Sequence, residues 1–254
     1  MMEFWAIVAL GVGVIVAVGL ARLLGRSERA VSGSHNPQAL SVVGSALLSS
    51  FILLTAFLIA STWSTYNTDR QHTYDEARSV TTAYWLAGKL QPADRDRVRA
   101  GLTMYANEVV ADDWPAMGRH QTSDTAAAAL DGLRVAVGAI RPATAADEKD
   151  RADVAAALDD VYSKRLIRAA DVNYSMPSLL YIAMVIAAIL LVAYPPLVGL
   201  TANGRNVIVL SGLGAMVGLG ILIVIGLSQP YSEPLSIEPT AFRHALQQFT
   251  LVVG

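Results

Sequence analysis

Residues 40–62 read LSVVGSALLSSFILLTAFLIAST, an apolar and hydroxylated run without one ionisable side chain. A helix needs about 20 such residues to cross a hydrocarbon layer about 30 Å thick, because lipid offers the backbone no hydrogen bonds. Phe4–Ala21, Pro177–Tyr194 and Val207–Leu227 share the property. Four such runs and a mean hydropathy of +0.44 argue against a soluble globule with an apolar core helix. The expected fold is an all-α integral membrane protein: four transmembrane helices, with a helical insertion between the second and third spans. The chain divides accordingly into a first transmembrane hairpin (1–62), an extramembrane insertion (63–176), a second hairpin (177–228) and a Pro-rich segment with an amphipathic tail helix (229–254).

The second span has no sequence signal to stop at the membrane. Between Gly44 and Gly88 there is neither glycine nor proline, so one helix is expected to run outward to about Ala87. A further helix begins at Pro92, with Val98, Leu102, Tyr105 and Val109 on one face, and ends at Pro115. Leu130, Leu133, Val137 and Ile140 mark a short amphipathic helix closed by Pro142. Thr144 with Asp147 caps a last one, whose face carries Val154, Leu158 and Val161. These stripes pack against one another as an antiparallel bundle or between subunits. Residues 119–129 and 142–147 are polar or small and are expected to be mobile linkers.

Charge placement sets the expected orientation. A cleaved signal peptide carries positive charge before its apolar run, whereas here Glu3 precedes it and Arg22, Arg26 and Arg29 follow. The first span is therefore expected to be retained, with both termini and 63–176 on the exported side of a bacterial plasma membrane. Trp5, Trp63, Tyr66, Tyr174 and Tyr231 then fall at exported helix ends. Arg70, Arg78, Lys164, Arg165, Arg168 and Arg243 pull the other way, from a long insertion that counts less in the rule. The net charge of −2 and the lack of an aromatic-interleaved basic patch argue against a nucleic-acid partner. There is no cysteine, and no nucleophile, phosphate loop or cofactor motif, so an enzyme is not expected and no cofactor is assigned. The scarcity of lysine beside arginine fits GC-rich bacterial coding.

Phe51-Ile-Leu-Leu-Thr-Ala-Phe-Leu-Ile-Ala-Ser-Thr-Trp, Asp75-Glu-Ala, Leu90-Gln-Pro-Ala-Asp-Arg, and Tyr105-Ala-Asn-Glu-Val-Val-Ala-Asp-Asp-Trp-Pro-Ala-Met follow one another in the chain. With the tail Gln229-Pro-Tyr-Ser-Glu-Pro-Leu-Ser-Ile-Glu-Pro-Thr-Ala-Phe-Arg-His-Ala-Leu, this order resembles the bestrophin-like domain family of bacterial membrane proteins. The resemblance spans nearly the whole chain. It implies a homo-oligomeric ion channel and, because bestrophins are oligomeric anion channels with a second-helix pore, anion conduction. Bestrophin necks carry bulky apolar and aromatic residues at spacings of four, whereas Phe51 and Phe57 here are six apart and cannot share a narrow face. The second reading is a membrane-anchored interaction module whose helical bundle binds another envelope protein.

Ser41, Ser45 and Ser49 lie four apart on the second span, either as a hydroxyl stripe along a pore or as small residues that let helices approach. Gly214 and Gly218 form a small-xxx-small pair that reads as a helix contact and, with the resemblance, motivates self-association. Asp69, His72 and Glu76 share a helical face, either as a cation or pH-sensitive cluster or as a solvated surface. No His-x-x-x-His or repeated carboxylate pattern assigns a metal there. Asp112 and Asp113 end a helix, oppose its dipole and call for an arginine partner. Phe242, Leu246 and Phe249 fall on one face of the tail helix and are expected to dock it.

The orientation is tested with single cysteines at Ser32 and Ala127 in this cysteine-free chain. An impermeant thiol reagent on intact cells is expected to label Ala127→Cys and spare Ser32→Cys; the reverse pattern inverts the topology.

Overall fold

The computed structural model describes residues 2–24, 37–172, 176–200 and 203–252. The described residues are helical, without a strand: α1 Met2–Leu24, α2 Pro37–Ala87, α3 Pro92–Glu108, a π-helical turn Val109–Asp113, α4 Trp114–Met117, α5 Asp124–Gly138, α6 Ala145–Asp171, α7 Ser178–Leu197, α8 Gly204–Ser228 and α9 Thr240–Val252. Three helices are long and apolar enough to cross a membrane: α2 over Gln38–Ala87, α7 and α8. A shorter apolar stretch, Ile7–Leu20, lies in α1. Arg26, Arg29 and Tyr174 lie outside the described residues. Two compact units emerge, Met1–Tyr66 with Ser175–Gln229, and Asn67–Tyr174 with Pro230–Gly254. Helix α2 runs without interruption through both ranges, as its lack of glycine and proline after Gly44 predicts.

In the first unit α1 packs chiefly on α8, at backbone distance. A Cβ added at Gly214 would collide with the Gly13 carbonyl and come 2.8 Å from the Ala17 Cβ; at Gly218 it would collide with the Ala9 carbonyl. In lipid, where burying apolar surface gives helices no net gain, such close approach supplies the van der Waals contact that holds them. These glycines thus face α1 of their own chain, and the self-association expected through them has no support from this contact. Ala17, Phe51, Ala188, Leu191, Val192 and Val217 form one core cluster, and Leu58, Met184 and Val224 a second. Most of the bulky aliphatics on the outer faces, such as Ile52, Leu53, Ile182, Ile186 and Ile189, are exposed, as lipid contact allows. Gly44 admits the ring of Tyr194, whose hydroxyl donates to the Leu40 carbonyl.

The second unit is built from stripes. On α2 one buried stripe runs Asp69, Thr73, Glu76, Val80, Ala83 and Ala87, with Ala77, Ser79 and Tyr84 buried beside it; on α6 the buried positions are Val154, Leu158, Val161, Arg165 and Arg168. The α2 stripe and the α6 positions follow the four–three alternation of one helical face. Val98, Leu102 and Tyr105 of α3, and Leu130, Leu133 and Val137 of α5, complete the core. On α9, Phe242 and Phe249 are buried and Leu246 is half-buried, and Phe249 stacks on Tyr84 at 4.0 Å.

Local chemistry corrects three expectations. Most of the linker expected at 119–129 is helix, because Ser123 caps α5 through the Ala126 N–H and the alanines behind it are strong helix formers. Residues 145–147 likewise begin α6, where Thr144 and Asp147 exchange hydrogen bonds as a capping box. Pro115 does not end the helix that starts at Pro92: the π turn resets the hydrogen-bond register, leaving Pro115 in the first turn of α4, where its missing N–H is harmless.

The glycine contact predicts a sharp asymmetry. Gly214→Val, which overpacks backbone against backbone, is expected to destabilise the protein by about 3 kcal/mol. Gly212→Val is expected to leave the thermal transition in detergent unchanged, since a Cβ there meets nothing.

Candidate functional site

The second unit carries two adjoining sets of ionisable side chains on α2 and α6. The first centres on Arg168, whose residue is 1% exposed. Its Nε donates to Glu76 Oε2 at 2.7 Å, its Nη2 to Glu76 Oε1 at 3.2 Å and Asp113 Oδ2 at 2.8 Å, and its Nη1 to Met117 Sδ at 2.6 Å. Trp114 and Phe242 offer ring faces 5.6 and 5.7 Å from the guanidinium carbon. One turn back, Arg165 donates to Asp113 Oδ2 at 2.8 Å and to the Ser123 carbonyl at 3.1 Å. Tyr105 donates to Glu76 Oε1 at 2.5 Å, and the Ser123 N–H to Asp113 Oδ1 at 2.7 Å.

Two guanidiniums and two carboxylates make the set neutral. Burial pushes the Asp113 carboxyl up, but Arg168, then Arg165 and the Ser123 N–H, outweigh it and hold the group below the ordinary range. Burial likewise works against the charge on Arg168, and the attraction and hydrogen bonds of Glu76 reverse it. Tyr105 is pushed up by burial first and the Glu76 charge second, so it serves as a donor. The π turn projects Asp113 inward between the two arginines, which supply the partner expected there, while Asp112 is exposed and accepts from the Thr125 hydroxyl at 3.3 Å.

The second set is Asp69, His72 and Asp171. One donor atom from each lies within 4.8 Å of the others, and His72 Nδ1 is 2.9 Å from Asp171 Oδ2. Asp69 is 4% exposed, and its Oδ2 makes no hydrogen bond; the buried phenol of Tyr231 lies beside it. Burial, then the neighbouring Asp171 charge, pushes the Asp69 carboxyl up to about 7 against the pull of His72. Asp171 is raised by burial too, with His72 opposing. Burial raises the Tyr231 phenol, and Asp171 and Asp69 add to it.

The structure separates the residues that the sequence groups. Glu76, expected beside Asp69 and His72, turns instead to Arg168 and Tyr105, because a fully buried carboxylate is held where cationic and hydroxyl donors reach it. Asp171 takes its place from α6. In the sequence Arg165 and Arg168 read only as membrane-flanking charges, and nothing singles out Asp171. One signal was available: Val154, Leu158, Val161, Arg165 and Arg168 continue a single four–three register, so the arginines occupy core positions. Ser41, Ser45 and Ser49 lie exposed on α2, and the Ser45 hydroxyl donates to the Ser41 and Val42 carbonyls at 2.9 and 3.0 Å. Phe51 is buried in the first unit while Phe57 is exposed, so the two sit on different faces.

Breaking the first set is expected to be costly. Asp113→Asn leaves buried guanidinium charge uncompensated, which costs about 3–5 kcal/mol. The sign with pH follows from the lowered Asp113 pKa: its contribution is present above the ordinary carboxylate range and is lost as pH falls below about 4. Thermal transitions from pH 3 to 7 are expected to show an acid decline that is flattened in Asp113→Asn.

Residues 5–242 match the Bestrophin-like domain, and the chain belongs to that family. Among solved structures, a point variant of a membrane protein aligns with TM-score 0.73 and 12% identity, covering 94% of this chain and 96% of that one. A variant of a bacterial bestrophin homologue from Klebsiella pneumoniae aligns with TM-score 0.68 and 12% identity over 100% and 99%. Another structure of a bacterial bestrophin homologue from that organism gives 0.68 and 11% over 99% and 98%. No curated protein matches by sequence.

Proposed function

We propose that this member of the Bestrophin-like family assembles as a homo-oligomer in the bacterial plasma membrane and conducts ions, with α2 of each copy lining the pathway. In this reading α1 is the fourth crossing beside α2, α7 and α8, through its apolar stretch Ile7–Leu20. The observation that carries it is the bare face of α2. Its buried residues Phe51, Thr55, Leu58 and Thr62 share one side. Ser41, Ser45, Ser49, Ile52, Ala56, Ala60 and Trp63 share another, and all of these are exposed in the single chain. A stripe of mostly small residues and hydroxyls suits a narrow pathway shared between copies better than a lipid-facing surface, which favours bulky aliphatics.

Anions are the favoured cargo. The α2 stretch 40–62 holds no carboxylate that would form a cation-attracting ring, and its serines supply hydroxyl donors. Ser45, bonded back to its own helix, exchanges a carbonyl acceptor for a passing anion with a rotation about one side-chain bond.

Purified protein in planar bilayers is expected to carry currents that reverse toward the chloride equilibrium potential under a KCl gradient. Ser45→Leu and Ser49→Leu are expected to lower the unitary current while native mass spectrometry still finds the oligomer. Unchanged currents in both variants remove the serine pathway. Absence of current across pH, calcium and tension, with one envelope protein co-purifying through residues 63–176, replaces the channel with the interaction module.

A further inference from the structure

We propose that Asp69, His72 and Asp171 bind a divalent first-row transition cation of the zinc class, bridging α2 to α6. Three observations carry the site. The donor atoms converge from two helices, across 99 residues of sequence between His72 and Asp171. They comprise two carboxylate oxygens and one imidazole nitrogen, a set that suits zinc and its neighbours better than calcium, which prefers six or more oxygens. The third observation is Oδ2 of Asp69, an acceptor within a residue 4% exposed that meets no donor in the protein. A buried acceptor left without a partner is costly, and a bound cation removes that cost.

The geometry is within side-chain reach. Ligand bonds of about 2.1 Å in a tetrahedral shell place donors about 3.4 Å apart. The His72–Asp171 pair is already at 2.9 Å and the widest separation is no more than 4.8 Å, so Asp69 closes the shell by rotating its carboxylate. On binding, His72 Nδ1 gives up its contact with Asp171 and offers its lone pair, while three protein ligands leave a fourth position for water. The Tyr231 hydroxyl, buried near both aspartates, is placed to pair with that water. Arg168, already satisfied by Glu76 and Asp113, adds positive charge nearby that the two carboxylates offset.

The site is independent of the channel reading, because its test needs no current. Full-length protein in detergent, stripped with chelator, is titrated with zinc chloride by calorimetry and followed by thermal melting. One zinc per chain is expected, with a rise in the thermal transition of about 5–10 °C when zinc is a hundredfold above its dissociation constant. His72→Gln is expected to weaken binding by at least about tenfold, a loss that even outer-shell changes produce. Asp69→Asn guards against a folding defect: it removes charge from an atom that has no hydrogen bond to lose, and is expected to keep the helical circular dichroism and lose the zinc response. His244→Ala, on the exposed side of α9, is expected to bind normally. The proposal is overturned if zinc fails to stabilise the parent protein, if Asp69→Asn and His72→Gln bind as the parent does, or if calcium binds there in preference to zinc.

Discussion

A guanidinium enclosed on every side governs the Asn67–Tyr174 and Pro230–Gly254 unit. Taking an arginine out of water costs several kcal/mol, and only well-placed carboxylates make it tolerable. Around Arg168 that condition recruits nearly every element. Helix α2 supplies Glu76, the π turn Asp113, α4 Met117 and Trp114, and α9 Phe242; Tyr105 of α3 steadies Glu76, and the cap of α5 steadies Asp113. An apolar core of equal volume would tolerate small shifts between helices. This one does not, since each partner has a fixed angle and distance. The π turn makes sense in that light: a regular α-helix through Val109–Asp113 would rotate Asp113 off the arginines.

Much of this was legible in the residues and part was not. The continuous α2 followed from the missing glycine and proline, and the Thr144 cap from its spacing to Asp147. Legibility failed where a partner lies far along the chain. Asp69, His72 and Glu76 share a helical face by arithmetic, but which of them meet depends on Arg168 and Asp171, 92 and 99 residues on from Glu76 and His72. The sequence reads 119–129 as a linker because small residues mark loops in one context and strong helices in another; Ser123 decides between them for residues 124–129.

The membrane unit obeys other physics. Its helices are held by shape, with glycines at the α1–α8 crossing and few polar side chains inside. Thr62 returns its hydrogen to the Leu58 carbonyl at 2.8 Å, which is how a hydroxyl is tolerated where water is scarce. Apolar outer residues tell little about neighbours there, because lipid and protein offer similar contact. The serine-bearing face of α2 stands out for that reason: it breaks the aliphatic pattern that the outer faces of α7 keep.

The span of sequence that the Arg168 network bridges bears on how the chain is made. Synthesis delivers Glu76 and Asp113 first and their arginines only when α6 emerges, so a nascent chain that stops before Arg165 holds two acids with no counterpart. Phe242, which closes over Arg168, comes within the last helix. The buried charges of this unit therefore meet their last partners only once α9 has been made, so the contacts around Arg168 join early and late parts of the chain.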